Sequence, residues 1–311
     1  MHVDLAEPKV REYTVDEAFA YCAEITNRHY ENFPVASLLF PADKRPYIQA
    51  IYAFSRIADD FADEGSGYPE AKLAKLNDWE ESLKLCYQGV ASHPVFIALA
   101  ETVKRHEIPM EPLQNLLTAF RQDVIKNRYE TFQDVLEYCS CSANPVGRLV
   151  LMVFGYKDPK LYKLSDSICT ALQLANFWQD IAVDLKKDRL YIPLEDLQRY
   201  RYSVEDWKEQ RYDERFKEVM NFQIERTRQM FYDGAELPVL VNKDLEVELK
   251  LVWFGGMEIL KKIKKIDYNL YKEKPIIRMR DKFLILVRAF WYGDLTRYGI
   301  KKKKGDPWDL A

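Results

Sequence analysis

Residues 52–63 read Tyr52-Ala53-Phe54-Ser55-Arg56-Ile57-Ala58-Asp59-Asp60-Phe61-Ala62-Asp63. Turned by about 100° per residue, the stretch divides into two faces. Tyr52, Arg56, Asp59 and Asp63 fall within an arc of about 60°, whereas Ile51, Phe54, Ala58 and Phe61 gather on the far side. That division belongs to an amphipathic helix. A second stretch, Gln173-Leu174-Ala175-Asn176-Phe177-Trp178-Gln179-Asp180-Ile181-Ala182-Val183-Asp184, repeats it. Gln173, Asn176, Asp180 and Asp184 share a stripe of about 80°, with Leu174, Phe177, Trp178, Ile181 and Leu185 beside it.

Outward from these two stretches, apolar residues recur at three- and four-residue steps, and alternating strand-like runs are scarce. Capping residues and prolines mark helix starts, giving helices over 16–29, 43–63, 69–88, 94–106, 111–126, 132–154 and 159–187. Further helices span 204–235, 243–266 and 278–298, joined by short turns containing Pro, Gly or Asp. The expectation is an all-α protein of one domain over 1–311, with flexible ends at 1–14 and 300–311 and neither linker nor short repeat.

The 311 residues are 48% hydrophobic and 31% charged, the balance of a folded globular chain. A formal net charge of −3 gives no general attraction to nucleic acid, and Lys301 to Lys304 is the one local basic cluster. Five cysteines, Cys22, Cys86, Cys139, Cys141 and Cys169, form no C-x-x-C framework and read as free thiols of a reducing compartment. Cys139-x-Cys141 lacks the further Cys or His ligands of a zinc site. Residues 1–12 carry no continuous apolar run of the secretory kind, and no stretch approaches the roughly 18 apolar residues of a spanning helix. The expected location is the cytoplasm.

Carboxylates four apart on a helix repel by a few tenths of a kcal/mol, so building the arrangement twice calls for a cation. Mg²⁺ takes oxygen ligands octahedrally and commonly bridges one or two carboxylates to substrate phosphates. Two Asp stripes confronting each other across a pit would thus hold a diphosphate, and metal ions drawing on its bridging oxygen would make it a better leaving group. The plainer reading leaves each stripe as a solvated helix face partnered by Arg56 or Lys186. For either stripe alone that reading is preferred; two stripes with Asn176 in register favour the metal.

These stretches, with His29-Tyr30-Glu31-Asn32-Phe33-Pro34 and Arg189-Leu190-Tyr191-Ile192-Pro193, resemble the squalene and phytoene synthase family from about Tyr21 to Trp291. Within it, H-Y-E-N-F-P, S-A-N-P-V-G-R and L-Q-L-A-N-F-W-Q-D are most similar to the bacterial hydroxysqualene synthases of hopanoid biosynthesis. The resemblance implies a helical isoprenoid synthase bundle with a deep central cavity, Mg²⁺ at its mouth and a long hydrocarbon below. It implies Asp59, Asp60 and Asp63 as the first metal-binding set and Asn176, Asp180 and Asp184 as the second. His29, Arg56, Gln173, Arg189 and Tyr191 then lie at the diphosphate. Tyr52, Phe33 and Tyr138 lie near the reacting carbons, where aromatic faces stabilise positive charge; without the resemblance these rings read as core. The reaction implied ionises presqualene diphosphate, opens its cyclopropane and captures the cation with water, so NADPH is not expected.

One departure is Ala143-Asn144-Pro145-Val146-Gly147, where many family members have Ala-Gly-x-Val-Gly. Pro145 should break the helix that begins near Phe132. Asn144 then either positions the attacking water or caps the freed backbone, and the two readings weigh equally. Phe283 to Trp291, followed by the four lysines, suggests peripheral contact with the inner face of a membrane, against a core helix with a solvated tail. Other pathway enzymes are conceivable partners. The alternatives for function are head-to-head condensation of two prenyl diphosphates to presqualene diphosphate or phytoene, and a non-enzymatic assembly factor that keeps the fold.

Overall fold

The computed structural model describes residues 12–28, 40–63 and 68–296, and the described residues contain helices and turns but no strand. The all-α expectation is met. His29, Phe33 and Lys301 to Lys304 lie outside the described residues. The chain forms two compact units, one drawn from Met1–Val124 with Met152–Gly155, the other from Ile125–Leu151 with Tyr156–Ala311.

Unit one contains α1 (Val15–Arg28), α2 (Arg45–Asp63), α3 (Pro69–Tyr87), α4 (Pro94–His106) and α5, which begins at Glu111 and runs to Ile125. Thr14, which the sequence reading counted with the N-terminal end, caps α1: its hydroxyl accepts from the Glu17 amide while the Glu17 carboxylate accepts from the Thr14 amide. Helices α1, α2 and α4 pack on one another, and α3 packs on α2 and α4. The apolar face of α2, with Ile51, Phe54 and Ala58 buried, meets a cluster of rings. Trp79 of α3 lies 4.5 Å from Phe96 of α4 and 6.1 Å from Phe54, centroid to centroid. Its indole N–H donates to the Phe54 carbonyl at 3.3 Å. Burying such rings fixes the rotation of α2 and leaves its acidic stripe turned away from the core.

Unit two holds α6 (Phe132–Ser142), α7 (Asn144–Val153, whose last two residues count with unit one), α8 (Pro159–Gln179), α9 (Ile181–Lys186), α10 (Leu194–Arg199) and α11 (Val204–Lys208). Then come α12 (Glu214–Asp233), a 3₁₀ turn over Leu237–Leu240, α13 (Lys243–Lys265) and α14 (Met279–Trp291). Helix α8 packs on α12, α13 and α6, and α13 carries α14. Small residues set these approaches. A Cβ on Gly256 would fall 2.2 Å from Phe231 Cζ, and one on Gly147 would fall 2.3 Å from Ser165 Oγ. Trp178 and Trp253, both fully buried, donate to Thr227 Oγ1 at 2.8 Å and to the Phe231 carbonyl at 2.7 Å. All five cysteines are free.

Three of the expected helices are broken. The first breaks at Ala143, as Pro145 required, separating α6 from α7. The second breaks at Asp180, whose backbone (φ −102°, ψ 10°) leaves the α-helical region. The third ends at Lys208, and Asp213 starts α12 by accepting from the Phe216 amide at 3.2 Å. Helix α10 was not anticipated.

Candidate active site

In unit one, Arg56, Asp59 and Asp60 form a local cluster on α2. Arg56 Nη1 lies 3.3 Å from Asp59 Oδ2, and Nη2 pairs with Asp60. Asp60 is largely enclosed at 11% side-chain exposure, Asp59 is half-exposed and Asp63 is exposed. The plainer sequence reading is therefore met in one respect: Arg56 is a partner of these acids. It leaves Asp63 and the open edge of Asp59 pointing outward. Tyr52, half-buried one turn earlier, has its phenol pushed above the ordinary value by burial, opposed by Arg56 and reinforced by Asp59 and Asp60.

The second cluster is assembled differently. Because α8 ends at Gln179, Asn176, Asp180 and Asp184 do not lie on one straight helix. The chain turns at Asp180, whose carbonyl accepts from the Val183 and Asp184 amides at 2.8 Å each. The three side chains stay neighbours nonetheless. Asn176 Nδ2 donates to Asp180 Oδ2 at 3.2 Å. Burial, and then the Asp180 charge, push the Asp184 carboxyl up to about 7 against the pull of Arg189, Lys187 and Lys274. Gln173 is half-buried one turn before Asn176.

Two links here come from the far end of the chain. Lys274 pairs with Asp180, and the side-chain amide of Gln179 donates to the Pro275 carbonyl at 2.5 Å. No spacing rule connects these positions, and the sequence reading missed both.

Arg189 and Tyr191 sit on a loop that runs parallel to residues 127–130. Leu190 and Leu194 amides donate to the Asn127 and Tyr129 carbonyls at 3.0 and 2.9 Å, and the Arg189 amide donates to the Asp184 carbonyl at 2.9 Å. The loop thereby brings Arg189 beside Asp184 and drives Tyr191 inward. Tyr191 stacks face to face on Phe177 (3.6 Å, 6° between planes), with Tyr138 5.9 Å and Tyr129 5.6 Å away. The sequence candidates Tyr138 and Tyr191 are thus brought together. Phe177 and Tyr129 complete the group, and only the core periodicity of α8 had marked Phe177.

Asn144 is buried, and its Oδ1 accepts from Thr170 Oγ1 of α8 at 2.9 Å. Its side chain ties α7 to α8, so the carboxamide N–H groups are what it has left to offer another molecule.

Among the described residues no three His, Cys, Asp or Glu side chains converge tightly enough to enclose a metal ion alone. Mg²⁺ does not require that, since it keeps waters and binds through one or two carboxylates plus phosphate. The Asp180–Asp184 pair fits the description. The Asp180 charge helps to raise the Asp184 carboxyl, and Lys274, the cation paired with Asp180, is half-exposed at 45%. Asp59 and Asp63 supply a second oxygen donor set of the same kind.

Residues 26–281 match the family model described as squalene/phytoene synthase. The hydroxysqualene synthase of Zymomonas mobilis is 42% identical over 167 residues, which are 52% of this chain and 54% of that protein. The phytoene synthase of Arthrospira platensis is 28% identical over 289 residues, covering 89% and 93%. Among solved structures, squalene synthase HpnC from Alicyclobacillus acidocaldarius superposes with a TM-score of 0.79 at 39% identity, over 82% of this chain and 96% of that one. A dehydrosqualene synthase in complex with a ligand gives 0.81 at 25% identity, over 89% and 96%. Two acid-bearing helical segments, a buried aromatic group beside one of them and a match over most of the length agree: this chain belongs to the squalene/phytoene synthase family, and is an enzyme acting on prenyl diphosphates.

Proposed function

We propose that this enzyme ionises presqualene diphosphate with the help of Mg²⁺ and captures the cation with water, giving hydroxysqualene and diphosphate. The observation that carries the choice is the likeness to a hydroxysqualene synthase at 42% identity, although over about half the chain, together with 39% identity to HpnC. Asp59, Asp60 and Asp63 on α2, and Asn176, Asp180 and Asp184 at the α8–α9 turn, are the ligands that would hold the metal ions. When bound, these ions act as Lewis acids on the diphosphate and ease C–O cleavage. Arg56, Gln173, Arg189 and Tyr191, with His29, bind the diphosphate oxygens; guanidinium groups suit this because they present several donors in one plane. Tyr52 and Tyr138, with Phe33, offer ring faces to the developing cation. The amide N–H groups of Asn144 hold the water that attacks it. Atoms and bonds balance: the C–O bond to diphosphate breaks, a cyclopropane C–C bond breaks as its electron pair becomes a C=C bond, the water oxygen bonds to the resulting cationic carbon, and one proton of that water leaves with the diphosphate. One domain comprising both units is proposed as the working enzyme.

The test is direct. The purified chain is incubated separately with farnesyl, geranylgeranyl and presqualene diphosphates, with Mg²⁺ or with EDTA, and the lipids are analysed. Hydroxysqualene from presqualene diphosphate in the Mg²⁺ arm alone is expected. The second reading, head-to-head condensation, is favoured by phytoene synthase matches that span about 90% of the chain. Presqualene diphosphate from farnesyl diphosphate, or phytoene from geranylgeranyl diphosphate, would decide for it. The hydrocarbon substrate makes a membrane its natural reservoir.

A further inference from the structure

Helix α14 has two unlike faces. One is fastened to α13: Lys262 pairs with Asp281 at 2.8 Å, Glu258 with Arg288 at 3.3 Å, and Ile285 and Ala289 are buried. The opposite face carries Met279, Phe283, Leu284, Val287, Phe290 and Trp291 over an arc of about 140° at 100° per residue. All are exposed, Phe283 by 65%, Phe290 by 68% and Trp291 by 83%. An apolar surface of this extent on a helix marks an interaction site. No helix among the described residues is long and apolar enough to cross a membrane, and α14, with 13 residues, reaches only about 20 Å.

Charge identifies the occupant. Although the chain as a whole is net negative, Arg278 and Arg280 are exposed at the N-terminal end of α14, with Arg280 inside the apolar arc. The sequence places Lys301 to Lys304 ten residues beyond Trp291. Apolar rings framed by cationic side chains are the composition of a helix that lies in the headgroup layer of an anionic leaflet. There the rings enter the acyl boundary and the long basic side chains reach back to phosphate. A self-association surface would carry no such excess of one sign, because two copies would bring like charges together.

We propose that α14 docks flat on an anionic lipid surface through Met279, Phe283, Val287, Phe290 and Trp291. The dock is connected to the chemistry within the same unit. The segment entering α14 holds Lys274 on Asp180 and the Pro275 carbonyl on Gln179, so the lipid-facing helix is tethered at its start to the second acid cluster. A substrate leaving the bilayer beside α14 would emerge next to the segment that holds Lys274 on that cluster. This delivery role rests on the prenyl diphosphate reading, whereas the docking itself does not.

The experiment sediments the full chain with vesicles of phosphatidylcholine alone and with vesicles also carrying phosphatidylglycerol, at low and high salt, in the absence of substrate. Binding to the anionic vesicles is expected, weakened by salt. A Phe283→Asp/Phe290→Asp variant should bind at least tenfold more weakly while keeping the wild-type circular dichroism melt. Trp291→Ser, at the most exposed position, is the second variant should the double one unfold, and it should reduce binding in the same direction. Failure of the wild type to sediment with either vesicle would overturn the proposal. So would equal binding to both, or a concentration-dependent dimer in ultracentrifugation that Phe283→Asp/Phe290→Asp dissolves. Since no turnover is measured, a wrong substrate assignment leaves these outcomes unchanged.

Discussion

The two acid clusters use the same residue types but are built in opposite ways. On α2 the carboxylates and their cation lie within two turns of one helix, backed by the Trp79, Phe54 and Phe96 rings. At Asp180 the helix ends, the acids sit on either side of a turn, and the cation arrives from a segment more than ninety residues later. A cluster within one helix inherits its geometry from helical periodicity. A cluster on a broken helix must be held by tertiary contacts, and unit two supplies them in the loop at 189–194, the Asn144–Thr170 bond and the close approaches at Gly147 and Gly256.

The sharpest way to break this comparison is to remove one acid from each cluster. Asp59→Asn and Asp180→Asn keep size and shape while deleting a charge. If both clusters serve one diphosphate, each should lower kcat by roughly 100- to 1,000-fold, the scale for losing one group that stabilises developing charge. Diphosphate release at saturating Mg²⁺ measures it. A large loss for one variant and none for the other would mean that only one cluster does chemistry.

That difference also explains what was legible in the sequence. The face of α2 was read correctly because every interaction that matters there is local, and period 3.6 reports local geometry. The Pro145 break was legible because a ring without an N–H interrupts a helix wherever it falls. The break at Asp180 was not, since the stretch has no Gly or Pro and its apolar periodicity runs through it. The break at 209–213 had left a trace in Asp213, a start signal inside a segment read as one helix. Lys274 and Pro275 left none. Their role exists only once α13 has turned the chain back, and periodicity carries no information about that.

The second prediction tests whether the second cluster depends on packing. Gly256→Ala puts a methyl 2.2 Å from Phe231 Cζ and 3.0 Å from Leu172 Cδ2, in a fully packed contact of α13 with α8 and α12. Overpacking should destabilise the protein by about 1–3 kcal/mol, read from urea denaturation. Gly255→Ala, whose methyl meets nothing within 4 Å, is the control on the same helix. It should be neutral or slightly stabilising, by up to about 1 kcal/mol from helix propensity. Equal effects would show that α13 is not seated by its glycine.

Glu248 allows a pH-resolved version of the same question. It is buried on α13, its Oε2 has no hydrogen-bond partner, and burial pushes its carboxyl up from 4.5 to about 7. The folded protein therefore keeps a proton that the unfolded chain releases. The stability linked to the protonated form is full below about 4.5 and is lost as pH rises to about 7, then stays flat. Glu248→Gln cannot ionise, so its advantage over the wild type should grow across that window and reach on the order of 2 kcal/mol at alkaline pH. Denaturation midpoints on either side of the window measure it. A difference that is constant with pH would mean that the carboxyl is not enclosed.

The smallest effect belongs to Lys274, one of the two cations that distinguish the clusters. Lys274 is 45% exposed and so is screened by water; Lys274→Met should change stability by no more than about 1 kcal/mol. Arg56 is 19% exposed and partners Asp60, itself only 11% exposed. Arg56→Met removes the cation paired with that enclosed carboxylate and should cost more, about 1–3 kcal/mol. Turnover should rank the two the same way if Lys274 merely neutralises Asp180 until Mg²⁺ arrives: Lys274→Met would then keep its activity at saturating Mg²⁺, and Arg56→Met would not. Should Lys274→Met instead lose activity without losing stability, the lysine stays at the diphosphate throughout the reaction. The second cluster would then carry a permanent cation, as the first does, and the contrast between them would lie only in how the cation gets there.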